Sequence, residues 1–176
     1  MDRVEYVVFR ILRLFRRTPL NRILSAGSST RMFAEFFKDF DKLEAVQGIF
    51  GEKTSAVLGN LKVDFTWFSG YMYVDSSSGH LVVSSRYLKN GNKIDIYLDL
   101  IHELCHVKQH MEGRELFDPN YSYVERPTEI EAYHYTVQEA RRLGLSDKRI
   151  CEYLKTEWIS DRDLQFLAKA VNVTFK

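Results

Sequence analysis

The segment His102-Glu103-Leu104-Cys105-His106 carries side chains that could bind a metal ion and activate a water molecule. On a helix, residues i and i+4 share one face, so the imidazoles of His102 and His106 can reach one ion. The Glu103 carboxylate, next to the first histidine, can then hold and deprotonate a water on that ion. The chain has only 5 histidines, which favours a site over coincidence. The alternative is a solvated helix that happens to carry these side chains.

The residues around this segment fit a helix. An apolar side at roughly helical spacing is formed by Ile94, Leu98, Ile101, Cys105 and Val107. H-E-x-x-H on a helix indicates a zinc site, so we expect one Zn²⁺ per chain. Cys105 stands between the ligand positions, and we expect a buried thiol there, neither a ligand nor a nucleophile.

Two histidines do not complete a catalytic zinc site, which usually has three protein ligands and a water. His110 follows His106 by four residues, but it lies too far along a straight helix to join the other two at one ion. The extended pattern H-E-x-x-H-x-x-G-x-x-H is absent, because residue 109 is Gln and residue 112 is Glu.

A second predicted helix, from about residue 127 to 143, offers two glutamates. Glu129 and Glu131 both stand in its first turn, where acidic residues are favoured by the helix dipole alone. Thr128 and Glu131 also fit a capping box, which would occupy Glu131. Pro127 at the first helical position would undo that box by moving the cap to Arg126. Spacing alone therefore leaves Glu129 and Glu131 open as the third ligand.

With Glu129-Ile130-Glu131-Ala132 read as E-x-x-A, the chain resembles the gluzincin branch of zinc metallopeptidases. The order of strands, H-E-x-x-H helix and E-x-x-A helix is also similar to minigluzincins and to the peptidase-like domain of the ImmA/IrrE family. The resemblance covers roughly residues 56–140. It implies Glu129 rather than Glu131 as the third ligand, with Ala132 allowing the two helices to approach closely. It also implies a zincin-like α+β fold, with a small mixed sheet packed on the two ligand helices and extra helices at both ends.

The sequence departs from the gluzincin pattern after Ala132. The position that usually holds a carboxylate or an amide is Tyr133. Another group must therefore orient the histidine ligand that this side chain would otherwise support.

The resemblance implies peptide hydrolysis, with Glu103 as general base and then as proton donor to the leaving amine. A developing oxyanion needs a second donor besides the metal, and Tyr121, Tyr123 and His134 are unranked candidates. The strand predicted at residues 80–88 is a candidate edge that could pair with an extended substrate.

The elements before the histidine helix change in character along the chain. Ser28, Ser29 and Thr30 predict the start of a helix running to about Gln47, whose phenylalanines at 33, 36, 37 and 40 have core-face spacing. Residues 56–67, 71–75 and 80–88 are predicted strands, with residues 75–79 as a hairpin loop. Ser146 and Ser160 are predicted to cap two helices of the tail.

We divide the chain into an N-terminal helical segment, residues 1–50, and a metallopeptidase domain with its helical tail, residues 51–176. Residues 3–17 form a basic amphipathic pattern that ends before Pro19. The pattern favours a helix packed on the main domain. A helix on a membrane surface and a pro-segment that covers the site are the alternatives.

Composition limits the partners. A formal net charge of +1 recommends neither nucleic acid nor a strongly acidic partner, and no nucleic-acid motif occurs. Two cysteines do not suggest a disulfide scaffold, and no membrane-spanning stretch or signal peptide is evident, so we expect a cytoplasmic protein.

Three functions are compatible with the sequence. The first is a zinc endopeptidase acting on a peptide or protein substrate, and the intact Glu103 favours it. The second is a zincin-like regulatory or partner-binding module with little or no proteolysis, which Tyr133 and the added helices favour. The third is a metal-dependent hydrolase of a non-peptide bond, because the H-E-x-x-H pattern alone does not define the substrate.

Overall fold

The computed structural model describes residues 29–67 and 70–174, which form a mixed α+β fold built on a four-stranded sheet. The elements in chain order are β1 (Ser29–Met32), α1 (Phe33–Phe36), α2 (Glu44–Phe50), α3 (Thr54–Asn60), β2 (Lys62–Thr66), β3 (Met72–Val74), β4 (Leu81–Ser84), α4 (Ser85–Asn90), α5 (Lys93–Met111), α6 (Pro127–Arg142), α7 (Asp147–Leu154) and α8 (Asp161–Ala170). Short 3-10 turns occupy Phe40–Lys42, Gly51–Lys53 and Tyr123–Glu125. The helix predicted at residues 3–17 lies outside the described residues.

The strand order in the sheet is β1-β2-β4-β3. The β1/β2 and β3/β4 pairs are antiparallel, whereas β2 and β4 run parallel. Apolar residues alternate along the strands, as Val63 and Phe65 of β2 and Leu81 and Val83 of β4 show, so one face of the sheet is buried. The predicted hairpin loop is confirmed, because residues 75–79 join β3 to β4.

Three of the predicted elements differ from the structure. The predicted helix from Thr30 to about Gln47 is wrong: Ser29–Met32 is strand β1, and only the separate helices α1 and α2 follow. The predicted strand at 56–67 is helical in its first part, and the one at 80–88 becomes helix α4 after Ser84. β1 pairs with β2, so residues of the predicted N-terminal segment supply an edge of the sheet.

The predicted substrate edge is also corrected. β4 lies between β2 and β3 and has both sides paired, so it is not an edge. Among the described strands, the outer one on that side of the sheet is β3, which packs beside α5. Short strands such as these carry little sequence information on their order, which is set by pairing between distant segments.

Helix α5 lies at the centre of the molecule, packed against β3, α2 and α6. Its start is fixed by Asn92, whose side-chain oxygen accepts hydrogen bonds from the backbone N–H groups of Ile94 and Asp95. From Ile96 to Val107 nearly every side chain is buried. A helix that is buried all round holds its polar residues in fixed positions, and this is where the H-E-x-x-H segment lies.

The aromatic cluster expected from the phenylalanine spacing is present. Phe33, Phe36, Phe37 and Phe40 are all buried, with neighbouring ring centroids 4.8–5.8 Å apart. Phe40 also lies 6.0 Å from the ring of Tyr97 on α5. The cluster therefore anchors the N-terminal end of the described chain to the central helix.

The remaining helices begin where the sequence indicated. Pro127 is the first residue of α6 with Arg126 as N-cap, so the capping box between Thr128 and Glu131 does not form. Ser146 caps α7, and Ser160 caps α8 in a capping box with Asp163. Within the described ranges, no helix combines the length and the apolar character needed to cross a bilayer.

Candidate metal centre

His102 and His106 of α5 meet Glu129 of α6 in a buried cluster. The Nε2 atoms of the two histidines are 3.0 Å apart, and Glu129 Oε2 lies 3.2 Å from His102 Nε2 and 3.5 Å from His106 Nε2. Each residue is at most 6% exposed. One ligand atom from each lies within 4.8 Å of the others, so the three residues could hold a metal ion. In residues 29–67 and 70–174 this is the one group of three or more His, Cys, Asp or Glu with such geometry.

The close packing of α5 and α6 brings these groups together. Glu129 stands in the first turn of α6, three residues before Ala132, so both lie on one face of the helix. Ala132 is fully buried. A small side chain at this position is consistent with the close approach of the two helices.

Glu131, the alternative third ligand, points elsewhere. Its carboxylate accepts hydrogen bonds from Arg114, from Lys108 Nζ at 3.1 Å and from Gln109 Nε2 at 3.1 Å. Burial works to raise the pKa of Glu131, but these partners prevail and lower it to about 2. Glu131 is therefore an anionic partner of cationic side chains and does not belong to the cluster around the histidines.

Gln109 orients His106, a role that the sequence reasoning did not foresee. Its Oε1 lies 2.7 Å from His106 Nδ1, and its Nε2 donates to the backbone oxygen of Thr128 at 2.9 Å and to Glu131. The amide oxygen can only accept, so His106 Nδ1 carries the proton and Nε2 is left to face Glu129. The sequence could have indicated this role, because Gln109 follows His106 by three residues and therefore lies on the same helix face.

His102 is held in another way. Its Nδ1 is buried and has no hydrogen-bond partner within the described ranges. The ring of Tyr133 packs against the imidazole, with centroids 4.4 Å apart. Tyr133 stands where a carboxylate or an amide would usually orient a histidine ligand. In the structure its ring packs against His102, and among the described residues no hydrogen bond takes that role.

Glu103 lies beside the cluster and is 8% exposed. Its Oε2 is buried without a hydrogen-bond partner among the described residues. Burial raises the pKa of Glu103 to about 8, opposed by His106 and by a backbone hydrogen bond from Val74 of β3. A buried carboxylate with one unpartnered oxygen is costly unless a cation or a hydrogen-bonding ligand compensates it.

Burial and the hydrogen bonds within the cluster act on its titration in opposite directions. Burial works to lower the pKa of His106, but Glu129 and Glu103 prevail and raise it. Burial works to raise the pKa of Glu129, but the two histidines prevail and lower it. A proton on His106 and a charge on Glu129 thus stabilise each other, and a cation at this point would take the place of that proton.

Two cavities meet at these residues. The larger, of about 340 Å³, and the smaller, of about 180 Å³, share Met72, His102, Glu103, Tyr123 and Trp158 as lining residues. The smaller cavity also reaches His106 and Glu129 and has an apolar side formed by Leu116 and Phe117. The cluster therefore borders a cleft and is not enclosed in the core.

The three candidate oxyanion donors lie in different places. Tyr123 borders both cavities, and its hydroxyl is 2.8 Å from that of Tyr133. Tyr121 is exposed and lines neither cavity. His134 is also exposed and borders a separate cavity with Pro127 and Gln138. Burial, chiefly, raises the pKa of Tyr123 well above its usual value, so its hydroxyl keeps its proton at neutral pH.

Two further residues of α5 have structural surroundings. Cys105 is a fully buried free thiol, as expected, and burial raises its pKa to about 12. His110 lies away from the cluster, with Nε2 3.1 Å from the backbone oxygen of Ser76. Its ring also contacts Gly79, where a Cβ atom would come within 2.7 Å of it. His110 thus packs against the hairpin loop.

Comparison with protein-family models, with curated protein sequences and with solved structures found no match for this chain. Any function of the chain is therefore inferred from its own residues and their geometry.

Proposed function

We propose that the protein is a zinc-dependent peptidase that binds one Zn²⁺ per chain through His102, His106 and Glu129, with Glu103 as general base. The observation that carries the proposal is the convergence of three buried ligand atoms within 4.8 Å of one another, beside a buried carboxylate with an unpartnered oxygen. The similarity of the motif to gluzincins supports it from the sequence.

The donor set fits zinc. Two imidazole nitrogens and one carboxylate oxygen are ligands that zinc takes in catalytic sites, where three protein ligands leave a position for water. The simpler alternative is a buried hydrogen-bonded cluster of structural residues. That alternative leaves Glu103 Oε2 without a partner among the described residues and two carboxylates buried beside one another, which a dication would compensate.

When bound, zinc would polarise a peptide carbonyl, lower the pKa of a bound water to about 7 and favour the ionised form of Glu103. Glu103 would take the proton of the attacking water and pass it to the leaving amine. Tyr123, whose phenol stays protonated, would donate a hydrogen bond to the developing oxyanion. Among the described strands β3 is the outer one beside α5, and an extended peptide could form backbone hydrogen bonds along its edge.

The partner-binding module remains the second candidate function. One observation favours it: within residues 29–67 and 70–174, no hydrogen bond reaches His102 Nδ1. A zinc site whose histidine ligand lacks a hydrogen bond to its second ring nitrogen usually binds zinc about 10–100-fold more weakly. A weakly metallated or metal-free cleft would then bind a segment of a partner protein without cleaving it.

The first test is the zinc content of the full chain, wild type beside Glu129→Ala. Glu131→Gln is the matched control, because it removes the charge of a neighbouring glutamate outside the cluster but keeps an oxygen that can accept from Gln109 Nε2. We expect near-stoichiometric zinc in the wild type and the control, and a large loss in Glu129→Ala. Wild-type protein that takes up no zinc when zinc is supplied would refute the metal site.

The second test separates binding from hydrolysis. Glu103→Gln is expected to keep its zinc and to lose cleavage of a mixed protein substrate. If the wild type binds zinc but cleaves no peptide bond, with or without residues 1–50, the partner-binding module replaces the peptidase. If Glu103→Gln retains activity, Glu103 is not the base.

A further inference from the structure

The larger cavity beside the candidate metal centre is lined by acidic and aromatic side chains. It runs along α5 from Asn92 past Asp99 to Glu103, and the segment from Glu152 to Trp158 forms its other side. Five acidic side chains and one lysine line it. The acidic residues are Asp95, Asp99, Glu103, Glu152 and Glu157. The cavity therefore favours a cationic ligand over a neutral or anionic one.

Asp99 is the central acid of this cavity. Its two carboxylate oxygens accept hydrogen bonds from Tyr87 at 2.5 Å and from Tyr153 at 2.7 Å. Among the described residues it forms no ion pair, whereas Asp95, one turn earlier on α5, is paired with Arg149. Burial raises the pKa of Asp99 to about 6, so it is mostly ionised at neutral pH.

Aromatic rings complete the cavity. Tyr71 lies 4.8 Å from Tyr87 and 5.4 Å from Trp158, measured between ring centroids, and all three line the cavity. Aromatic rings attract cations through their quadrupole, most strongly when water is excluded. The lysine that borders the cavity, Lys155, is directed to Asp161, 3.0 Å from its Nζ. It does not neutralise Asp99.

The same cavity reaches the candidate reaction centre. Glu103 and His102 both line it, and the buried atoms Glu103 Oε2 and His102 Nδ1 have no hydrogen-bond partner among the described residues. Asp99 precedes Glu103 by four residues on one face of α5, a rise of about 6 Å. An arginine or lysine side chain is about long enough to span that distance from a peptide backbone held at Glu103.

We propose that this cavity binds an arginine or lysine side chain of the substrate, at the residue next to the cleaved bond, with Asp99 as its counter-ion. The proposal rests on the proposed function and adds the substrate class. The cation would lie among Tyr71, Tyr87 and Trp158, and Glu157 would add negative charge at the exposed end of the cavity.

Binding tests the proposal without hydrolysis. Two fluorescein-labelled alanine-based hexapeptides would differ in one central residue, arginine or its uncharged isostere citrulline. Fluorescence anisotropy is measured with the full chain in chelator, so that neither peptide is cleaved. We expect arginine to bind at least tenfold more tightly in the wild type, because a charge-assisted hydrogen bond is lost with citrulline.

Three variants locate the effect. Asp99→Asn should reduce the arginine advantage to less than about threefold, since the carboxylate charge is removed. Glu157→Gln, at an exposed position where we expect folding to be unaffected, should reduce it by a smaller factor of about two to three. Glu52→Gln, also exposed but remote from the cavity, should leave it unchanged. Equal binding of both peptides to the wild type would overturn the proposal. So would an arginine advantage unchanged in both Asp99→Asn and Glu157→Gln.

Cleavage of the same peptides, followed by mass spectrometry with zinc supplied, separates the two proposals. If both peptides are cleaved at equal rates, the peptidase stands and the cationic pocket falls. If arginine binds through Asp99 but neither peptide is cleaved and no zinc is bound, the pocket stands and the peptidase falls. A preference for arginine in kcat/KM that Asp99→Asn abolishes supports both.

Discussion

Gln109 Oε1 lies 2.7 Å from His106 Nδ1, and this contact links a ligand of the candidate metal centre to the start of α6. The same amide donates to the backbone oxygen of Thr128, next to Glu129 in the chain. One side chain therefore fixes the ring of a histidine on α5 and the position of a glutamate on α6. The arrangement couples two ligands that come from different helices.

Replacing Gln109 should weaken zinc binding. In Gln109→Ala the His106 ring loses its orienting acceptor, and we expect affinity for zinc to fall by about 10–100-fold. Competition with a chromogenic chelator measures it. Gln138→Ala, an exposed glutamine of α6, is the control and should bind zinc as the wild type does. Equal affinity in Gln109→Ala would show that packing alone orients His106.

Tyr123 should matter for catalysis and not for the metal. Tyr123→Phe removes a hydroxyl that borders both cavities, and we expect kcat to fall by about 10²–10³-fold if that hydroxyl stabilises an oxyanion. Zinc content should not change. Tyr121→Phe is the matched control at an exposed position. If kcat of Tyr123→Phe equals that of the wild type, the Tyr123 hydroxyl does not stabilise the oxyanion.

Acid should weaken the contact between Glu131 and its cationic partners. The pKa of Glu131 is lowered to about 2 in the folded chain, so the stabilisation is present above its unfolded value of about 4.3 and is lost as pH falls from there towards 2. Urea unfolding of the metal-free protein at pH 7, 4 and 3 would show the loss. The stability of Glu131→Gln should fall less over this range than that of the wild type or of Glu52→Gln. If the stability of Glu131→Gln and of the wild type falls equally with pH, the ion pairs of Glu131 contribute nothing to stability.

Ala132 should tolerate no larger side chain. It is fully buried three residues after Glu129, on the face of α6 that carries this ligand. Ala132→Leu should lower the free energy of unfolding by about 1–3 kcal/mol through overpacking. It should also reduce zinc content by moving Glu129 away from the histidines. Ala45→Leu, at a partly buried position packed against the core, provides a comparison for added volume alone. If Ala132→Leu is as stable as the wild type and binds as much zinc, a small residue is not required at this position.

The helices that carry the candidate site could be predicted from local signals. The apolar spacing of α5 and Pro127 at the start of α6 act over a few residues, and both helices occur where expected. The sequence could not decide between Glu129 and Glu131 by spacing. In the structure Arg114, from a loop, and Lys108, from α5, pair with Glu131, and Glu129 is the glutamate that lies beside the histidines.

The sheet was less predictable because its order depends on distant pairing. Ser29–Met32 has the composition of a helix start, yet it forms strand β1 because it pairs with the distant strand β2, as in Met32 with Lys62 and Ser29 with Phe65. The position of β3 at the edge likewise follows from the insertion of β4 beside β2. The environment of Asp99 could not be predicted from the sequence, because Tyr87 and Tyr153, which donate hydrogen bonds to it, come from other helices.

The separation of the ligands along the chain has a kinetic consequence. His102 on α5 and Glu129 on α6 are 27 residues apart in the chain, farther than the strand partners Val63 and Leu81, which are 18 residues apart. Joining segments this far apart costs loop-closure entropy, and an ion bound by both helices would offset part of that cost. We therefore expect refolding to be faster with zinc than in chelator, because an ion bound by both helices would hold α5 and α6 together.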